Sequence, residues 1–285
     1  LLFTGSTGVG RDVMKAASAN LTPVTLELGG KSPAIVTESF DLAETARRLM
    51  YGKLMNAGQT CVAPDYALVP EALVGPFVEA CRAATLTFYP TLATNPQYTS
   101  IINERQFRRL SACIQDARDK GATIHALHDE ATDAERRRLS PVAVTNTGDD
   151  MRLMQEEIFG PVLPVVGYGS IEEAIAYVNA RPRPLALYYF GTESAELDAV
   201  LVRTISGGVT VTGARVARSW RAIRSRSHCD SPRGGRWGYA RVSGNRSVAQ
   251  SPLRRGGARL GYRIAGLGVV AAAWIFWPSP SVRID

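Results

Sequence analysis

From Leu1 to Val211 the chain switches repeatedly between short apolar runs and stretches with apolar residues every three or four positions. That alternation predicts an α/β fold. Leu1–Thr4 reads as the end of a strand, and Gly5-Ser6-Thr7-Gly8-Val9-Gly10 turns from it into a helix over Arg11–Asn20. Val24–Leu28 and Pro33–Val36 are short strands. Asp41 is placed to cap the next helix, with Glu44 as its capping-box partner, and Leu42, Ala46, Leu49, Met50 and Leu54 share one face. A second amphipathic helix runs from Glu71 to about Leu86 (stripe Leu73, Phe77, Cys81), and a third spans Glu104–Lys120 (stripe Phe107, Leu110, Cys113, Ile114). A strand near Val142–Val144 precedes a segment Glu156–Val166, helix Ile171–Asn179, strand Ala186–Phe190 and helix Ala195–Thr204. The pattern ends at Gly207-Gly208-Val209-Thr210-Val211.

After Val211 the periodicity stops and the composition changes with it. The formal charge of +7 divides into −5 over residues 1–211 and +12 over residues 212–285. That last quarter has 14 Arg, no Lys and all four tryptophans. Arg, Gly and Ser dominate Arg215–Arg263, with few aliphatic residues to offset ordering entropy, so disorder is expected there. The longest apolar run, Ile264 to Trp277, is about 14 residues, short of the roughly 20 needed to span a bilayer. Neither a signal peptide nor a membrane span is read, and the expected location is the cytoplasm.

Four cysteines without CxxC or Cys/His ligand spacing suggest neither a disulfide framework nor a zinc site. Cys81 and Cys113 sit on apolar stripes and read as packed core thiols. Cys229 lies in the tail. Cys61 differs, because Asn56-Ala57-Gly58-Gln59-Thr60 before it ends a helix in a glycine-containing turn. There a sulfur can be exposed and backbone N–H groups can face an oxyanion, although an inert turn cysteine fits the same residues. Glu27, in Thr25-Leu26-Glu27-Leu28-Gly29-Gly30-Lys31, is either a surface acid or partner for Lys31, or a general base made more basic by burial. The Gly5–Gly10 turn could cradle a phosphate at a helix N-terminus.

Taken together and in order, Phe3-Thr4-Gly5-Ser6, Leu26-Glu27-Leu28-Gly29-Gly30-Lys31, Asn56-Ala57-Gly58-Gln59-Thr60-Cys61 and Glu156-Glu157-Ile158-Phe159-Gly160-Pro161 resemble the NAD(P)-dependent aldehyde dehydrogenase superfamily. The 34-residue step from Glu27 to Cys61 is similar to that family's spacing. Val62-Ala63-Pro64-Asp65-Tyr66 and Pro184-Leu185-Ala186-Leu187-Tyr188 resemble its class 3 and coniferyl-aldehyde branch. The resemblance implies an α/β, three-layer catalytic domain over residues 30–211, preceded at 1–29 by a remnant of a Rossmann-like dinucleotide-binding domain. It implies that Cys61 is the nucleophile and oxyanion donor and that Glu27 activates water. It places Gly5 and Ser6 at the pyrophosphate of NAD or NADP, Glu157 at the nicotinamide ribose, and Phe159 beside it. Lys31 is expected to hold the glycine turn.

Departures from the family shape the remaining expectations. Roughly the first half of a family member has no counterpart, including the asparagine that completes the oxyanion hole. From Thr212 the family's Asn-Asp pair, Pro-Phe-Gly-Gly loop and oligomerisation strand are not found, so 212–285 reads as an aberrant, frame-shifted tail. The family is homo-oligomeric, and here the strand that assembles it reads as lost. Three functions are weighed: oxidation of an aldehyde with NAD(P) by what reads as a fragment of low activity, a non-catalytic remnant of that fold, and nucleic-acid binding by the basic tail. A small aldehyde is the expected partner, with no nucleic acid or membrane.

Overall fold

The computed structural model describes residues 1–212 and 247–250. The predicted α/β alternation is observed. Strand β1 (Leu2–Gly5) leads into helix α1 (Thr7–Ser18), then β2 (Thr25–Leu28), β3 (Pro33–Val36) and α2 (Leu42–Leu54). A single 3-10 turn, Met55–Gly58, separates α2 from β4 (Tyr66–Pro70). There follow α3 (Val74–Phe88), α4 (Glu104–Asp119), β5 (Thr123–Ala126), β6 (Val142–Thr145) and α5 (Arg152–Gln155). The last elements are β7 (Val162–Tyr168), α6 (Ile171–Asn179), β8 (Ala186–Phe190), α7 (Ser194–Arg203), β9 (Gly208–Thr212) and β10 (Ser247–Gln250).

Two sheets result. β1 and β2 pair parallel as a sheet of two strands. The other eight strands run in the order β10-β9-β8-β3-β4-β7-β6-β5, parallel except for β5 against β6. A parallel sheet needs both faces covered. β3 shows how: Ala34 and Val36 join a core with Leu49 of α2 and Phe77 of α3. Ile35 points the other way, into a core with Ile175 of α6 and Val200 of α7. Every residue of β3 is therefore buried, which is why it is apolar throughout instead of alternating. A third cluster packs α4, through Phe107, Leu110 and Cys113, against β6 and the segment Met151–Ile158.

Local chemistry explains the element ends, with one correction. Asp41 Oδ1 accepts the N–H of Glu44 at 2.7 Å, as an N-cap should. Glu44 does not complete the box. Its carboxylate takes the Nε atoms of Arg47 (2.7 Å) and Arg48 (2.6 Å), two cations one turn along the helix. β4, β5 and α5 are additional to the elements expected. Within the tail, Ser247–Gln250 runs as a strand parallel to β9, where disorder was expected. Strand pairing uses backbone groups and needs no particular side-chain composition. The rest of the tail, including Cys229 and His228, lies outside the described residues.

Candidate active site

The cysteine turn is built by the body of the molecule. After α2, Asn56 (φ 53°), Ala57 (φ 51°) and Gly58 (φ 76°) take the left-handed conformation in succession. Such backbone is costly outside glycine and persists only where its surroundings enforce it. Here the enforcement is visible. Gln59 donates through Nε2 to the carbonyls of Asn56 and Ser100 (3.1 Å each) and accepts the N–H of Ile102 at 2.9 Å. Asn56 Nδ2 returns a bond to the Gln59 carbonyl at 3.1 Å. Gly58 faces the Gly160 carbonyl so closely that a Cβ would collide with it. Beyond the turn, the Tyr188 hydroxyl donates to the Val62 carbonyl. Cys61 stands exposed between these anchors, whereas Cys81 and Cys113 are buried.

A second loop, Glu156–Pro161, faces the turn. Lys31 Nζ bonds to Asp65 Oδ2, to the Leu153 carbonyl at 2.7 Å and to the Glu156 carbonyl at 3.1 Å. Asp65 Oδ1 accepts the Ile158 N–H at 2.8 Å. Arg109, from α4, donates to the carbonyls of Glu157 (3.2 Å) and Ile158 (2.6 Å). Lys31 was expected to hold the glycine turn; its bonds run instead to Asp65 and to the Leu153 and Glu156 carbonyls. Its ion-pair partner is Asp65, which excludes the reading of Glu27 as its partner. The Glu157 carboxylate lies against Gly29, where any side chain would displace it. Phe159 follows with φ 50° and stands 39% exposed.

Electrostatics ties these parts together. Burial pushes the Cys61 thiol up and the carboxylates of Glu157 and Glu27 push it further, against the pull of its own backbone N–H. Partial desolvation and the two nearby carboxylates thus outweigh the backbone donor, and the turn by itself does not favour a thiolate. Burial holds Glu157 up to about 7, with Asp65 adding to the effect and the Gly30 N–H, Lys31 and Arg109 opposing it. Beneath lies Lys53, 1% exposed. Burial brings it down to about 8, against the opposing charge of Asp65, with Lys31 adding to the fall and Glu157 resisting it.

The N-terminal candidates are placed differently. Glu27 is exposed, so the expectation of a buried base is not met. β1, β2 and α1 form too small a unit to cover the strand's outer side. Gly5 ends β1, and Ser6 caps α1 through a long 3.5 Å bond from the Val9 N–H. The strand-to-helix turn predicted there is present, its first helical N–H groups directed out of α1. The structure thus brings Cys61, Glu157 and Glu27 within electrostatic reach, with Phe159 beside Glu157. Gly5 pairs with Leu28, at the end of the small sheet that leads into Gly29 and Glu157, and Ser6 follows it.

Asp65, Arg109 and Lys53 were not singled out from sequence. Lys53 carried a signal: it falls four residues after Leu49 on the apolar stripe of α2. Asp65 and Arg109 carried none, since their partners lie 93 and 48 or 49 residues away. Among the described residues there is no metal-ligating cluster and no helix long and apolar enough to cross a membrane.

The structure is thus a parallel-rich α/β body presenting an exposed cysteine on a strained turn, with carboxylates at hand. The aldehyde dehydrogenase family model matches residues 1–220, and the chain belongs to that family. It is 57% identical over 209 residues to a probable coniferyl aldehyde dehydrogenase of Pseudomonas aeruginosa, covering 73% of this chain and 43% of that protein. It is 42% identical over 211 residues to a dimeric, NADP-preferring aldehyde dehydrogenase of Rattus norvegicus, covering 74% of this chain and 45% of that protein. Among solved structures it resembles a substrate-bound Staphylococcus aureus enzyme, with TM-score 0.69 and 38% identity over 74% of this chain and 45% of the other. The chain spans less than half the length of the curated relatives it matches.

Proposed function

We propose that this chain carries the thiol half of an enzyme that oxidises an aldehyde to a carboxylic acid with NAD or NADP, in the cytoplasm. The single observation that carries the reading is the exposed Cys61 on a rigidly anchored turn, its thiol within the field of Glu157 and Glu27. Residues 1–29 would then belong to the dinucleotide-binding part and 30–211 to the catalytic part.

In this reading the Cys61 thiol loses its proton on the exposed side and the sulfur adds to the aldehyde carbon. The Cys61 backbone N–H steadies the resulting oxyanion. The nicotinamide, when bound, supplies the acceptor for the hydride that leaves this carbon. Glu27, facing water, draws a proton from the water that hydrolyses the thioester and frees the sulfur. The residues present fit such a dinucleotide. The α1 N-terminus capped by Ser6 suits its phosphates. Glu157, fixed on the Gly30 N–H, suits a ribose hydroxyl, and Phe159 offers an exposed face beside it. The likeness to a probable coniferyl aldehyde dehydrogenase supports an aromatic aldehyde as the substrate class.

The test is a chimera in which residues 1–211 replace the matching part of the Pseudomonas aeruginosa relative, assayed with cinnamyl-type aldehydes and each dinucleotide. Cys61→Ser should lower turnover by about 10³-fold or more, because an unactivated hydroxyl is a poor nucleophile. Glu27→Gln should give a burst of reduced dinucleotide followed by a slow steady rate. Undiminished turnover in Cys61→Ser would overturn the assignment.

A further inference from the structure

We propose that Arg109 is a positioning residue: from α4 it fixes the backbone of Glu157 and Ile158 and so holds the Glu157 carboxylate against Gly29. For its bearing on catalysis the inference rests on the function proposed above; its geometry does not.

The guanidinium reaches two consecutive carbonyls, those of Glu157 at 3.2 Å and Ile158 at 2.6 Å. The planar fork holds the two from separate nitrogens, Nη1 and Nη2, in fixed N–H directions. Its own orientation is set by Gln106, whose Oε1 accepts from Nε at 2.7 Å, and by the Glu156 carboxylate at 3.7 Å. The neighbouring residue Leu110 lies directly under Gly160, where a Cβ would come within 2.6 Å of its methyl carbon. One stretch of α4 is therefore the floor of the loop.

From the opposite side Lys31 holds the Glu156 carbonyl at 3.1 Å and Asp65 holds the Ile158 N–H at 2.8 Å. The peptides on either side of Glu157 are clamped from two directions, and the left-handed Phe159 begins where the clamp ends. The charged and titratable groups facing the Glu157 carboxylate are Lys31, Asp65, Lys53, Arg109 and Cys61. Those acting on the Cys61 thiol are Glu157 and Glu27. Releasing the Arg109 side of the clamp lets the Glu157 carboxylate leave the Gly30 N–H and move away from the thiol.

The test is the pH midpoint of Cys61 carbamidomethylation in the whole 285-residue chain, with Cys81 and Cys113 remaining unlabelled as the sign of a folded body. Glu157→Gln should lower the midpoint by removing a repelling charge. Arg109→Met should lower it too, by about 0.5 pH unit or a threefold rise in thiolate at fixed pH. The double variant should match Glu157→Gln alone. The charge-keeping Arg109→Lys variant is diagnostic, because loss of the cation alone also lets Glu157 hold its proton to higher pH and lowers the midpoint. Should Arg109→Met expose Cys81 and Cys113, Arg109→Lys decides: a flexible ammonium in place of the fixed fork predicts a smaller shift in the same direction. A midpoint unchanged or raised in the Arg109 variants, or unmoved by Glu157→Gln, overturns the proposal. The midpoint requires neither dinucleotide nor aldehyde, so an inactive chain bears on the function proposed above and leaves this inference standing or falling by itself.

Discussion

The β1-α1-β2 unit and the body from Pro33 onward contain the same kinds of element, yet differ in how they are held. In the body, every residue of β3, β4 and β8 is buried, and Leu49, Phe77 and Tyr189 are fully enclosed. In the N-terminal unit, β1 has no fully buried residue and α1 buries only Gly10, packed against Leu28. Leu1, Leu2, Val9, Met14 and Leu21 are all exposed. The lesson concerns the proposed site, whose residues come from both regions. Cys61, Glu157 and Phe159 are held by a core, whereas Glu27, Gly5 and Ser6 stand on a unit with almost none.

That contrast is sharpest in substitution energies. Phe77→Ala should cost about 3–5 kcal/mol in chemical denaturation, the range for emptying a packed aromatic site, while Met14→Ala should stay within about 0.5 kcal/mol. Comparable losses at the two positions would break the comparison.

Within the body, the Lys31–Asp65 pair separates the anchored loops from ordinary surface charge, both side chains being less than one tenth exposed. Asp65→Ala strands a buried cation and frees the Ile158 N–H, so a loss of about 3–5 kcal/mol is expected. A loss under about 1 kcal/mol, the range of surface pairs, would show that the anchor is solvated.

Glu157 gives a smaller effect with a defined pH window. In the folded chain it keeps its proton to about 7. In the unfolded chain it ionises near the usual value of about 4.3. Between these values the native state binds more protons, so stability falls as pH rises through the window. Glu157→Gln removes that loss. It should be more stable than the parent at pH 8 by on the order of 1–3 kcal/mol, discounted for partial exposure, with the gap closing toward pH 4. Thermal unfolding at the two pH values checks it.

How much of this was legible in the sequence follows from how local each feature is. Helix α6 and strand β8 have the bounds the sequence predicts, α6 because its apolar face repeats without interruption and β8 because it is an unbroken apolar run buried on both faces. β4 was hidden between Pro64 and Pro70, where turn residues mask a buried run. Cys61, Glu27 and Glu157 stood out through motif order, and their mutual proximity is what the fold adds. The clamp on the Glu156–Pro161 loop was invisible, since Lys31 and Arg109 bind backbone carbonyls 122 to 125 and 48 to 49 residues away. A carbonyl has no residue type to recognise. The exposure of Glu27 was equally illegible, because an apolar strand does not reveal how little lies over it.

The central claim is that the body alone presents Cys61 as the reactive thiol. Limiting iodoacetamide on the folded 285-residue chain, followed by mass-spectrometric mapping, tests it most directly. The account predicts that Cys61 is modified while Cys81 and Cys113 remain intact. Its labelling should still be accelerating with pH beyond about 8.5, the value for an unperturbed thiol. Modification of Cys81 or Cys113 at a rate matching Cys61, in a chain shown to be folded, would contradict it.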